Sequence, residues 1–93
     1  MEFEFDPDKS AANKAKHGIN FVEAQALWSD EARVEAPARE TTEPRNLLIG
    51  RIAETHWSAI ITCRGERTRI ISVRRSRQKE VAFYESSRTR REV

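Results

Sequence analysis

The chain has little with which to staple itself or to cross a membrane. One cysteine, Cys63, among 93 residues excludes an internal disulfide and leaves too few thiols for a zinc cluster. No apolar run approaches the roughly 20 residues that span a bilayer. The start, MEFEFDPDK, is acidic and alternating, without the basic flank and apolar core of a secretory leader. We therefore expect a cytoplasmic protein without membrane contact. No phosphate-cradling glycine loop, Ser-His-Asp grouping or acidic cluster with metal-ligand spacing appears, so no metal or other cofactor is expected. Nothing repeats, and the length suits one domain, 1–93, with a small core.

What the chain does have is arginine, unevenly placed. Residues 1–63 carry 7 Lys or Arg against 11 Asp or Glu, whereas residues 64–93 carry 10 against 4. A net charge of +2 thus hides halves of −4 and +6. Seven of the cations fall in RGERTRIISVRRSRQKE, residues 64–80. Such asymmetry points to an anionic partner: nucleic acid, an acidic membrane surface or an acidic protein.

Local patterns predict an α+β fold, with N-terminal helices packed on an antiparallel sheet and a C-terminal helix. Phe3 and Phe5 alternate with Glu2 and Glu4 as in a short half-buried strand. Asp6-Pro7 supplies a cap and a first helical residue, so a helix should run from Pro7 to about His17 and stop at Gly18. Asn20 and Glu23 have capping-box spacing, and Phe21, Ala24 and Trp28 suit a second helix to Trp28. Val34 and Ala36 suggest a strand, followed by a polar segment, ARETTEPR, expected to be mobile. NLLIGRI, HWSAIITC and TRIISVRR should form an antiparallel meander. Ser76 can cap a last helix through RQKEVAFYE. The tail, about 86–93, lacks an apolar pattern and should be flexible.

A two-residue turn at Gly65-Glu66 would set Ile61 opposite Ile70, Ile60 opposite Ile71, and Arg64 opposite Arg67. Under that register Trp57, Ala59, Ile61, Cys63 and Ile70 share one face. Arg64, Arg67, Arg69 and Arg75 share the other with Ile60, Ile71 and Val73. Like charges facing each other across a strand pair are mildly unfavourable, so a bound phosphate would make sense of them. Arg74-Arg75 also lead into a helix N-terminus, which attracts anions. The plainer reading is a solvated basic face.

The blocks FEFDPDKSAANKAKHGINFVEAQALWSD and RGERTRIISVRRSRQKEVAFYE resemble BrnT, the toxin of a type II toxin–antitoxin pair. The family pattern runs roughly F-E-W-D-P-x-K, N-x-x-K-H-G, F-x-E-A, R-G-x-x-x-R-I-I-S-A-R-R and E-x-x-x-Y-E, matched in order over about residues 3–85. Phe5 stands where Trp is usual, and Val73 where Ala is usual. The resemblance implies a RelE-like ribonuclease fold, RNA cleavage that halts translation, and neutralisation by a BrnA-like antitoxin. It also implies that operator DNA is contacted only through the antitoxin complex.

Cleaving RNA without a metal needs a base for the 2′-hydroxyl, positive charge on the phosphorane and an acid for the departing oxygen. Arg64, Arg69, Arg74 and Arg75 fall on the family motif and are candidate catalytic phosphate contacts. Their plainer role is ion pairing with the acidic half. His17 and Lys16 are candidates for proton transfer, although cations at a helix C-terminus need no other reason. Glu80 could be a base or hold an arginine, and Tyr84 could donate a proton, stack on a base or sit in the core. Arg67, Arg77 and Lys79 are candidate RNA contacts. A binding module without catalysis could use the same arginines.

Overall fold

A computed structural model describes the backbone of residues 1–38 and 44–92, and side chains as far as Arg88. The order is β1 (Glu2–Glu4), α1 (Pro7–His17), a 3-10 helix (Glu23–Ser29), β2 (Val34–Pro37), β3 (Asn46–Ile52), β4 (Thr55–Arg64), β5 (Arg67–Arg75) and α2 (Gln78–Glu92). Most of the segment expected to be mobile, 39–43, lies outside the described residues. The α+β class holds, and β3, β4 and β5 form the expected antiparallel meander.

The sheet is mixed rather than antiparallel. In the strand order β1-β5-β4-β3-β2, the first strand lies parallel to β5, with Glu4 opposite Arg69. Nothing in three residues of alternating sequence names a partner; the open edge of β5 and the charge of its arginines supply one. An ion pair of 2.9 Å joins Glu4 to Arg69.

Helix α1 starts and stops where its sequence dictates. The Asp6 carboxylate accepts the backbone N–H groups of Asp8 and Lys9, and Pro7 needs no such partner. At the other end Gly18 adopts a left-handed φ of 85° and donates to the Lys14 carbonyl. Asn13 fastens this helix to β5: its amide donates to the carbonyls of Ile19 and Val73 and its oxygen accepts from the Val73 N–H.

The second helix is 3-10, not α. The capping box forms as expected, with reciprocal bonds of 2.7 and 2.9 Å between Asn20 and Glu23. The buried residues, however, are Phe21, Ala24 and Leu27. That spacing of three matches the 3-10 repeat, whereas the sequence pattern had used Trp28, which is only partly buried. Gly50 permits the close approach: a Cβ there would stand 3.1 Å from Leu27 Cδ2. Ile19, Phe21, Ala24 and Leu27 meet Leu48, Ala59, Ile61, Ile70 and Val73 to form the main core on this face of the sheet.

One irregularity rearranges the strand that matters most. Ile61 pairs with Ile70 and Arg64 with Arg67 as expected, but Ile60 pairs with Ser72, leaving Ile71 as the extra residue of a bulge. An inserted residue exchanges the faces of all that follows. Val73, expected on the cationic face, lies opposite Ala59 in the core, and both are 0% exposed. Arg75 accordingly lies opposite Trp57, off the face of Arg64, Arg67 and Arg69, while Arg74 lies opposite Ser58 on that face. Cys63, expected among the core residues, is exposed beside the hairpin turn.

The opposite face is covered in part by α2, whose Tyr84 is buried beside the sheet. Ser76 does not cap this helix; its hydroxyl bonds that of Ser58. Glu80 reaches back to the Arg77 N–H instead, one half of a capping box. The helical backbone continues to Glu92, beyond the end of the apolar pattern near Glu85.

Candidate functional site

Where β5 passes into α2, Arg74 and Glu80 form a clamp. Arg74 Nη1 and Nη2 donate to the two carboxylate oxygens of Glu80, each at 2.8 Å, and Nη1 also donates to the Arg75 carbonyl. Glu80 Oε1 further accepts from Ser58 Oγ at 2.9 Å and the Arg77 N–H at 2.8 Å. The Ser58 and Ser76 hydroxyls lie 2.7 Å apart, tying β4 to the segment before α2.

Electrostatics follow from that bonding. The Arg74 hydrogen bonds, assisted by Arg77 N–H and Ser58 and opposed by burial, hold the Glu80 carboxyl down at about 2. Glu80 in turn raises the guanidinium's affinity for its proton. A carboxylate so weakly basic is a poor proton acceptor near neutrality, and its geometry fits the alternative role of holding an arginine. Five N–H donors belong to a guanidinium. Three of Arg74's are engaged here, leaving the Nε edge and the second Nη2 hydrogen for another acceptor.

Beside the clamp runs a groove of about 380 Å³, lined by Pro37, Ala38, Leu47, Ile60, Arg74, Arg77 and Glu80. Its floor is apolar and its charged groups gather at the N-terminus of α2. Phosphate can meet arginine there while a base or sugar covers carbon.

A family model described as "Ribonuclease toxin, BrnT, of type II toxin-antitoxin system" matches residues 5–80. The chain belongs to the BrnT family. Among curated proteins none matches. The match spans Arg64, Arg67, Arg69, Arg74, Arg75, Arg77, Lys79 and Glu80, and ends before Tyr84. As a toxin of a type II system, a BrnT protein works against an antitoxin partner.

The other candidates of this BrnT chain fall in three places. Arg64 and Arg67 are exposed around the hairpin, with Arg69 on Glu4. Lys16 and His17 close α1 on the core side of the sheet, and neither lines the groove. Arg75 sits above Trp57, its guanidinium carbon 5.8 Å from the ring centre. Lys79 is exposed in the first turn of α2.

Tyr84 takes the core position. It is 2% exposed, and its hydroxyl donates to Asp30 at 2.7 Å. Burial first, then the Asp30 contact, pushes that hydroxyl up to about 12. Asp30 also accepts from the backbone of Arg51 and Ala32, so it joins the 3-10 helix to β3 and α2.

Sequence reasoning overlooked Ser58 and His56, and read Ser76 only as a helix cap. A serine inside the apolar run HWSAIITC is an available signal, since a polar residue in a buried strand needs a partner. His56 carries none: it is half-buried, 3.1 Å from Glu85 and edge-on to Tyr84, outside the groove lining. Among the described residues, no group of three or more His, Cys, Asp or Glu side chains is placed to hold a metal.

Proposed function

We propose that this BrnT protein is an endoribonuclease toxin that cuts single-stranded RNA without a metal ion and so halts translation in the cytoplasm. The 2′-hydroxyl oxygen attacks phosphorus as its proton passes to water, the bond to the 5′ oxygen breaks, and a 2′,3′-cyclic phosphate remains. The observation that carries the reading is the Arg74 clamp, a guanidinium fixed on one edge by Glu80 and presenting its other edge beside a groove. A donor held before the substrate arrives stabilises developing charge without reorganising, and one such donor is worth about 2.7 to 4 kcal/mol in turnover. Arg77 adds charge at the same rim, and Lys79, in the first turn of α2, supplies the proton for the departing oxygen. A BrnA-like antitoxin neutralises the toxin by covering this surface, and operator DNA is met only through that complex. The RelE-like relationship belongs to the same reading.

A second reading is a binding module that holds RNA or an acidic partner without cutting it. It is favoured by one observation: the groove's ionisable side chains are two arginines and a carboxylate held at about 2, none suited to accept the 2′-hydroxyl proton near pH 7. Incubation of the purified protein with single-stranded RNA in EDTA separates the two. The ribonuclease reading expects cyclic-phosphate ends, with Arg74→Ala losing far more turnover than RNA affinity. Intact RNA with well-folded wild type, with and without ribosomes, would leave the binding module. Co-purification with the product of a neighbouring reading frame tests the antitoxin: a product that neither binds nor relieves toxicity would refute that partner.

A further inference from the structure

On the core side of the sheet, at the same end of β5 as the clamp, lies a second hollow that the cleavage chemistry does not use. It measures about 260 Å³ and is lined by Gly18, Ile19, Glu23, Ile52, Thr55 and Trp57. Its walls are largely apolar, and its one aromatic is the half-buried Trp57. Arg75 projects over that ring, fully off the Arg74 face because of the bulge, and among the described residues has no acidic partner. Lys16 and His17, at the end of α1, immediately precede Gly18 in the lining.

We infer that this hollow is a nucleobase subsite, in which an unpaired base of the RNA lies against Trp57 while Arg75 and Lys16 face its flanking phosphates. The inference rests on the RNA-cutting reading and extends it from the phosphate to a neighbouring base. Three features point to this class of ligand. An indole at the edge of an open apolar hollow offers a π-face, and stacking on such a face is how single strands are held without base pairing. A guanidinium over the indole adds a cation that both aromatic and phosphate groups attract. Finally, adjacent residues of a strand point to opposite faces, so Arg74 and Arg75 reach around the end of β5 to both sides. A single strand crossing that end would meet the clamp with one phosphate and the hollow with the next base. The arrangement also gives Lys16, His17 and Arg75 a common place, which the clamp does not.

The test uses the full chain with Trp28→Phe, so that Trp57 is the sole tryptophan; Trp28 itself packs edge-on against Phe3, away from the hollow. The probes are a single-stranded oligonucleotide with 2′-O-methyl riboses, which cannot be cut, and inorganic polyphosphate, which has charge but no bases. The oligonucleotide should quench Trp57 fluorescence and polyphosphate should not. Trp57→Leu should weaken the oligonucleotide about tenfold, within the range for one lost stack, and leave polyphosphate affinity unchanged. Arg75→Gln, which spares the core, should weaken the oligonucleotide more than polyphosphate, and it keeps the test open if Trp57→Leu fails to fold. A cation–π contact serving only stability would leave the preference between the two probes unmoved. Oligonucleotide binding with no quenching and no loss in either variant would overturn the subsite alone. Failure of wild type to bind the oligonucleotide would overturn the RNA reading with it.

Discussion

The two ends of β5 hold the same residue type under opposite conditions. At the hairpin end Arg64 and Arg67 face each other across the strand pair, both exposed, their side chains without a hydrogen bond or ion pair among the described residues. At the helix end Arg74 is held by two 2.8 Å bonds to Glu80, which is itself held by Ser58 and the Arg77 N–H. The first end contributes field and the second contributes geometry. A run of arginines therefore marks a region that anions enter, but only the residue whose guanidinium is fixed from behind is prepared to act on one atom.

Removing the fixed arginine should break the comparison most visibly. Arg74→Ala is expected to lower single-turnover RNA cleavage by about 100-fold or more, with a smaller loss of RNA affinity. It should also cost about 2 kcal/mol of stability in denaturant unfolding, because Glu80 loses its charged partner. Arg74→Lys should recover stability better than turnover, since an ammonium cannot bind bidentately.

Next in size is Asn13→Ala, which tests what holds the helix end in place. It orphans the Ile19 and Val73 carbonyls and the Val73 N–H, all buried, and should cost about 2 to 3 kcal/mol in the same measurement. Among the described residues, Arg64 and Arg67 have no such buried side chain fastening them.

Acid should remove the clamp's contribution to stability. The folded protein holds the Glu80 carboxyl down at about 2 against an ordinary value of 4.5, so its folded pKa is the lower of the two. Its contribution is full above about 4.5 and is lost as pH falls toward 2. Melting temperatures across that window should fall more steeply for wild type than for Glu80→Gln. At the alkaline limit the single tyrosine gives the opposite sign: Tyr84, raised from 10.0 to about 12, stabilises fully below 10 and loses that contribution as pH rises toward 12. Its tyrosinate absorbance reports this directly, and an ordinary midpoint near 10 would place the hydroxyl outside the core.

The smallest effect belongs to the hairpin. Arg64→Ala should leave stability within about 0.5 kcal/mol of wild type or slightly raise it, by relieving like charges across the strand pair. RNA binding should weaken modestly, with a shallower dependence on salt, and turnover of bound RNA should hold. A large loss of turnover here would erase the distinction between the two ends.

How much of this was legible depends on how far apart the interacting residues lie. Asp6-Pro7, Gly18, the Asn20 and Glu23 pair and the Gly65 turn act over a few residues, and each stands where local chemistry put it. The approach of Leu27, in the 3-10 helix, to the sheet uses Gly50, over twenty positions away. The parallel pairing of β1 needed the vacant edge of β5. At the site, the arginine cluster and Glu80 were visible as residue types, whereas Ser58 was not singled out and Ser76 was read only as a helix cap, because their bond spans 18 positions.

By itself, then, the amino-acid order determined the strands, the first helix and the basic half, since period, capping and charge are properties of neighbours in the chain. It also carried the family, through motif blocks at fixed spacing. Tertiary structure decided which arginine faces which way. Alternation in a strand continues until one residue is left unpaired, and whether Ile71 is that residue depends on how β4 and β5 fit the core on one side and α2 on the other. That single bulge sets Arg74 against Glu80 and Arg75 over Trp57.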